Sequence, residues 1–255
     1  MIVNFKRMSK ISLVILAPII ICATIYTLSR YIYTEHFENN IIFVDNDYMK
    51  NVIYSDPFFS RMTYADLVAR KSTDKDYKEH YLSNIVEFTK EEKIYIAKMV
   101  KQVDDIPNIL PGFHSIPWKF AKVNNNIENG WPHTLKDVIV FTNKNVTSSL
   151  ATYIHEKIHV YQRLFPEETK LYVSHMGYTR YCSRYDNIIE LPRNNPDIDD
   201  YIYKYNTNGY FYMKYNSPNP SSLEDSHIKS VGGNSSSSYE HPFEAMAYFV
   251  SKKFS

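Results

Sequence analysis

Glycine is scarce in this chain, with six in 255 residues, and cysteine is limited to Cys22 and Cys182. So little glycine excludes collagen-like repeats and flexible-linker composition. Two cysteines, one of them inside an apolar N-terminal run, exclude a disulfide-stapled scaffold, and Cys182 is expected as a buried free thiol. No charge of one sign dominates. Lysine and arginine total 29 against 28 acidic residues, and four of the basic ones (Lys6, Arg7, Lys10 and Arg30) lie within the first thirty positions. The remainder is close to neutral and offers no basic face to nucleic acid. No internal repeat is visible. Aromatic residues reach 15%, and the residues past position 30 suffice for one packed core.

What stands out against this background is a five-residue stretch, His155-Glu156-Lys157-Ile158-His159. Two histidines four apart on a helix project from one face, close enough to share a metal ion. The glutamate after the first can reach a water on that ion without ligating the ion. Context supports the helix: Ile154, Ile158, Tyr161 and Phe165 form an apolar stripe across Ser148 to Phe165. Thr147 or Ser148 supplies an N-cap, and Pro166 stops the helix. Upstream, Asp137 to Thr142 is a β-branched run that reads as a buried strand.

A catalytic zinc site needs three protein ligands and one exchangeable position. A histidine six residues past the second, as in metzincins, is absent, because Phe165 and Gln162 hold the diagnostic positions. The candidates for a third ligand are His175, Glu240, His241 and Glu244, and Glu244 is favoured. Tyr239 to Val250 reads as a helix with Pro242 in its first turn, and Ala245 and Ala247 allow close approach to a neighbour. Glu240 precedes the proline and falls in the loop.

A helical H-E-x-x-H followed much later by a Pro-x-Glu-x-x-Ala helix resembles the gluzincin-like branch of the zincin metallopeptidases. The tracts His155–Gln162 and His241–Ala247 resemble those of a little-characterised group that includes metallopeptidases of large DNA viruses. The similarity covers Trp118 to Val250. It implies zinc held by His155, His159 and Glu244, with Glu156 as general base in peptide-bond hydrolysis. One position departs from the thermolysin-type pattern: Tyr248 stands where an aspartate would orient a zinc histidine, so that support must come from elsewhere. The sequence names no oxyanion donor. Tyr178, Tyr181 and His175 are weak candidates, and Arg193 reads better as a loop salt bridge.

The chain has one long hydrophobic run, Ile11 to Leu28, without a charged residue. Eighteen helical residues span about 27 Å, close to a hydrocarbon core of about 30 Å. Positive charge precedes the run, which predicts a cytosolic N-terminus with the catalytic part on the lumenal or extracellular side. A cleaved signal peptide is the rival reading, but no small-residue cleavage site follows.

The remaining segments give coarser signals. Residues 31–54 read as a polar juxtamembrane stalk, and Thr63 to Arg70 as a short helix. Thr89-Lys90-Glu91-Glu92 is a capping box opening a helix to about Val103, with Ile94, Met99 and Val103 inward. Trp118 to Val123 reads as a strand, and Pro132-His133-Thr134 as a turn. Tyr201–Asn206 and Tyr210–Tyr215 flank Asn208-Gly209 as a hairpin, and Ser217 to Ser238 reads as a long loop.

The expectation is therefore an α+β, zincin-like metalloprotease domain at 55–255, a stalk at 31–54, and a single transmembrane anchor within 1–30. Its activity would be zinc-dependent hydrolysis of peptide or protein substrates. The rival readings are a degenerate zincin-fold binding or structural protein, and a zinc hydrolase acting on a non-peptide amide.

Overall fold

The computed structural model describes residues 40–72, 77–205, 209–232 and 239–255. The chain divides into two compact units, Met1–Ile42 and Phe43–Ser255. A three-residue strand, β1 (Ile41–Phe43), crosses that division, and every later element lies in the second unit.

Five helices come first: α1 (Asn46–Ser55), α2 (Pro57–Ser60), α3 (Tyr64–Ala69), α4 (Tyr77–Leu82) and α5 (Lys90–Asp104). Residues 46–54, expected as the end of a polar stalk, belong to α1. Met49, Val52 and Ile53 recur at helical spacing and pack in the core with Phe58, Tyr81, Val123 and Val140. The Thr89–Glu92 capping box forms as expected. The inward face of α5 is Ile96, Met99, Val100 and Val103, whereas Ile94 is 61% exposed. At 100° per residue, Ile94 lies roughly opposite Ile96, so the two cannot share a buried face.

Strands β2 (Trp118–Val123), β3 (His133–Leu135) and β4 (Val138–Thr142) form the first sheet, with β4 between the other two. β2 runs parallel to β4, pairing Phe120 with Ile139, and β3 runs antiparallel, pairing Thr134 with Ile139. The expected turn at 132–134 is thus largely strand. The reversal comes at Lys136, whose φ of 50° carries the chain into β4. All five residues of β4 are buried, which explains its unbroken apolar character.

Helix α6 (Leu150–Leu164) follows, capped by the Ser149 side chain, one residue later than expected. It packs on β3 and β4, with Tyr153 against Phe120 and Phe141. One turn later on the same face, Lys157 is 1% exposed and lies over Trp118, its Nζ 3.9 Å from the ring centre. Pro166 ends α6 and opens α7 (Pro166–His175), where its missing N–H costs nothing.

A second, antiparallel sheet follows, ordered β5 (Tyr178–Ser183), β6 (Tyr201–Tyr205), β7 (Tyr210–Tyr215), β8 (Ser226–Val231). The expected hairpin pairs Tyr203 with Phe211, its turn residues 206–208 lying outside the described residues. β8 corrects the reading of 217–238 as all loop, since Ser226–Val231 pairs with β7 along its whole length. Helix α8 (Pro242–Ser251) closes the unit and packs on α6.

The architecture is mixed α/β. The expectation of an α+β, zincin-like domain carried on a membrane-crossing helix is corrected, because no helix among the described residues is long and apolar enough to cross a membrane. The span expected at 11–28, and the topology argued from it, lie outside the described residues.

Candidate metal centre

His155 and His159 sit one turn apart on α6, and their Nε2 atoms are 3.0 Å apart. Glu244 comes to them from the first turn of α8. Ala245 and Ala247, both buried, let the two helices approach. Glu244 Oε2 is 3.4 Å from His155 Nε2, and Oε1 is 3.8 Å from His159 Nε2. No other set of three or more such side chains among the described residues is grouped closely enough to hold a metal.

The donor set can be tested against zinc. Tetrahedral coordination with bonds of about 2.0–2.2 Å separates ligand atoms by about 3.3 Å. The three separations, 3.0, 3.4 and 3.8 Å, bracket that value. Two imidazoles and one carboxylate also match the ligand chemistry of hydrolytic zinc sites. The residues present therefore fit the ion. His159 is buried, while the His155 and Glu244 side chains keep 14% and 12% exposure. The cluster thus opens on one side.

Electrostatics prepare the donors. Burial drives His159 down to about 3, His155 adding to the effect against the opposing charge of Glu244, so this ring is neutral at pH 7. Burial would also lower His155, but its hydrogen bond and charge contact with Glu244 raise it instead. Burial would raise Glu244, yet the His159 and His155 rings hold it low, so it is ionised. The Nδ1 of His159 meets Gln162 Oε1 at 2.9 Å, which assigns the ring proton to Nδ1 and leaves Nε2 bare.

Glu156 faces the same cavity without joining the donor cluster. It is 3% exposed, and Thr134 Oγ1 donates to its Oε2 at 3.2 Å. Burial pushes its carboxyl up to about 7; the negative charge of Glu244 adds to this, while His155 and Thr134 oppose it. A carboxyl poised there can both take and give a proton near neutrality.

The other candidates for a third ligand are engaged elsewhere. His241 caps α8 by accepting the Phe243 N–H at Nδ1, 3.1 Å away, and its Nε2 contacts Asp199 Oδ1 at 3.1 Å. Glu240 is bound by Arg193 and Asn195. His175 is exposed at the end of α7. Tyr178 packs in the second sheet against Tyr205 and Phe211, and Tyr181 stacks on Tyr210, so neither lines the cavity. Arg193 forms a loop ion pair, as expected. The expected free thiol at Cys182 is half-buried rather than buried.

Beyond Arg193, sequence reasoning missed the contributions of Asn195, Pro196 and Asp197. Asn195 Nδ2 reaches Glu244 Oε1 at 3.3 Å as well as Glu240. Asp197 Oδ1 accepts the Thr134 N–H at 2.7 Å, and Pro196 O accepts Arg163. No periodicity marks these residues, and their partners are distant in sequence. Tyr248 was noted only as a departure, yet its ring lies edge-on to His155 with centres 4.5 Å apart. Its place one turn after Glu244 was the available signal. A cavity of about 710 Å³ joins these groups, walled on its apolar side by Trp131, Leu223 and Tyr248. No family model, curated protein or solved structure matches this chain, so its side chains alone carry the reading of the site.

Proposed function

We propose that this chain is a zinc-dependent hydrolase of peptide bonds. One observation carries the reading: His155, His159 and Glu244 converge at ligand spacing, and His155 and Glu244 line a cavity that Glu156 also faces. The likeness of the two helical tracts to gluzincin-like metallopeptidases supports it from the sequence side.

When bound, zinc supplies Lewis acidity that activates a water and polarises the scissile carbonyl. His155, His159 and Glu244 would hold it. Glu156 takes the proton of the attacking water and passes it to the departing amine, its carboxyl oriented by the Thr134 hydroxyl. Asn195 steadies Glu244 from outside the cluster. The apolar wall of the cavity receives a substrate side chain and keeps bulk water from the reacting bond.

The test is metal analysis and peptide cleavage on the full chain. Stoichiometric zinc that is lost in His155→Ala is expected, with cleavage falling about 10²–10⁴-fold in Glu156→Gln while zinc is kept. A wild-type chain that binds zinc but cleaves nothing in a broad peptide library overturns the hydrolytic reading.

A further inference from the structure

The side of His159 that faces away from the donor cluster is tied down by one side chain. Gln162 lies three residues later on α6 and is 2% exposed. Its Oε1 accepts from His159 Nδ1 at 2.9 Å, and its Nε2 donates to the Phe243 carbonyl at 2.9 Å. Phe243 immediately precedes Glu244 in the first turn of α8. A primary amide accepts on one atom and donates from the other, so a single group serves both contacts. The contact with Phe243 O also assigns which end of the amide is oxygen.

We propose that Gln162 is a positioning residue that presets both halves of the metal centre. The inference rests on the zinc reading above. By accepting the Nδ1 proton it fixes the tautomer of His159 and aims the Nε2 lone pair at His155 and Glu244. By donating to Phe243 it holds the backbone that carries Glu244 against the helix that carries the histidines. Tyr248, which occupies the place of an orienting aspartate, sets its ring against His155, while the amide orients the other histidine, His159.

The two contacts are separable by substitution. Gln162→Leu removes both, whereas Gln162→Glu keeps an acceptor for His159 and sets an oxygen against the Phe243 carbonyl. Zinc affinity is measured by chelator competition, and ligand geometry by the visible spectrum of the cobalt-loaded full chain. Melting of the chelated proteins reports on the fold. Gln162→Leu is expected to weaken zinc by about 10–100-fold and to shift the cobalt bands, with Gln162→Glu recovering part of the affinity. Zinc binding by Gln162→Leu within about twofold of wild type, with an unchanged cobalt spectrum, overturns the proposal. Should that variant fail to fold, Gln162→Glu decides: weakening of severalfold supports the tie to α8, and less than about twofold overturns it. A wild-type chain that takes up no zinc sinks the zinc reading and this proposal together. Normal wild-type uptake with unchanged variants sinks the proposal alone.

Discussion

The Nε2 atoms of His155 and His159 face each other across 3.0 Å. With the His159 proton held at Nδ1 by Gln162, a lone pair points into that gap, and the Glu244 carboxylate adds negative charge beside it. Three electron-rich atoms packed this closely repel unless a proton or a cation lies among them. On the proposed zinc reading, the bound ion is expected to stabilise the folded chain, by about 2.7 kcal/mol at a hundred times its dissociation constant. For a unit of this size the melting temperature should rise roughly 5–10 °C over the chelated protein. Calorimetry with zinc and with chelator checks this. His159→Ala should abolish the shift, and a wild-type chain indifferent to zinc would contradict the account.

Acid should loosen the start of α8. Burial works to raise the Asp199 carboxyl, but the hydrogen bonds it accepts from His241 Nε2, the Tyr203 hydroxyl and the Tyr201 N–H outweigh it and hold it at about 2. An unfolded aspartate titrates near about 3.9, so the stabilisation is complete above that pH and is lost as pH falls towards 2. At neutral pH it amounts to about 2 kcal/mol. Denaturant melts of Asp199→Asn should show a loss of that order at pH 7 that shrinks towards pH 2. A constant difference across this range would count against it.

Lys157 stabilises less than its neighbours suggest. Its Nζ lies over Trp118 and near Phe113, is 3.8 Å from Asp104, and has no hydrogen-bond partner among the described residues. Burial pulls the ammonium down to about 8, against the opposing influence of Asp104. Methionine has similar volume and needs no counter-charge, so Lys157→Met should stabilise the chain by about 1–3 kcal/mol at pH 7. A destabilised variant in urea melts would show instead that the cation–π contact dominates.

The buried Arg70–Glu128 pair in the cavity lining should behave in the opposite sense when broken. Arg70 Nε and Nη2 donate to the two oxygens of Glu128 at 2.7 and 2.9 Å, and the Tyr77 hydroxyl also bonds Glu128. Glu128→Leu removes both short bonds and leaves the guanidinium, among its ion pairs, only the longer one with Asp66, at 3.3 Å, a change that should cost about 3–5 kcal/mol. Arg70→Met combined with Glu128→Leu should restore most of that, because Asp66 keeps Tyr215 and the Asn194 N–H. A double variant as unstable as the single one would refute this.

Residues 155–159 and 244 were legible because helical spacing and chemistry coincide there. The α5 capping box and β4 were legible for the same local reason. Helix α1 was hidden because Met49, Val52 and Ile53 sit among polar residues, and only their packing against β2 and β4 shows them as core. β8 was hidden by its serines, since its order comes from pairing with β7 rather than from propensity. In the loop 193–199 only the Arg193 ion pair was legible. Asn194 bonds Asp66, Asn195 bonds Glu244 and Asp197 bonds Thr134, and tertiary folding alone brings these together.

The aromatic box around Lys157 also bears on how α6 is indexed. Lys157 is two positions from each histidine, which at 100° per residue sets it on the far side of the cylinder from them. Rolling the helix by a single position would drive the ammonium out from between its rings and turn the imidazoles away from Glu244. A costly buried cation thereby works as a key in a slot, locking the azimuth at which the donors meet.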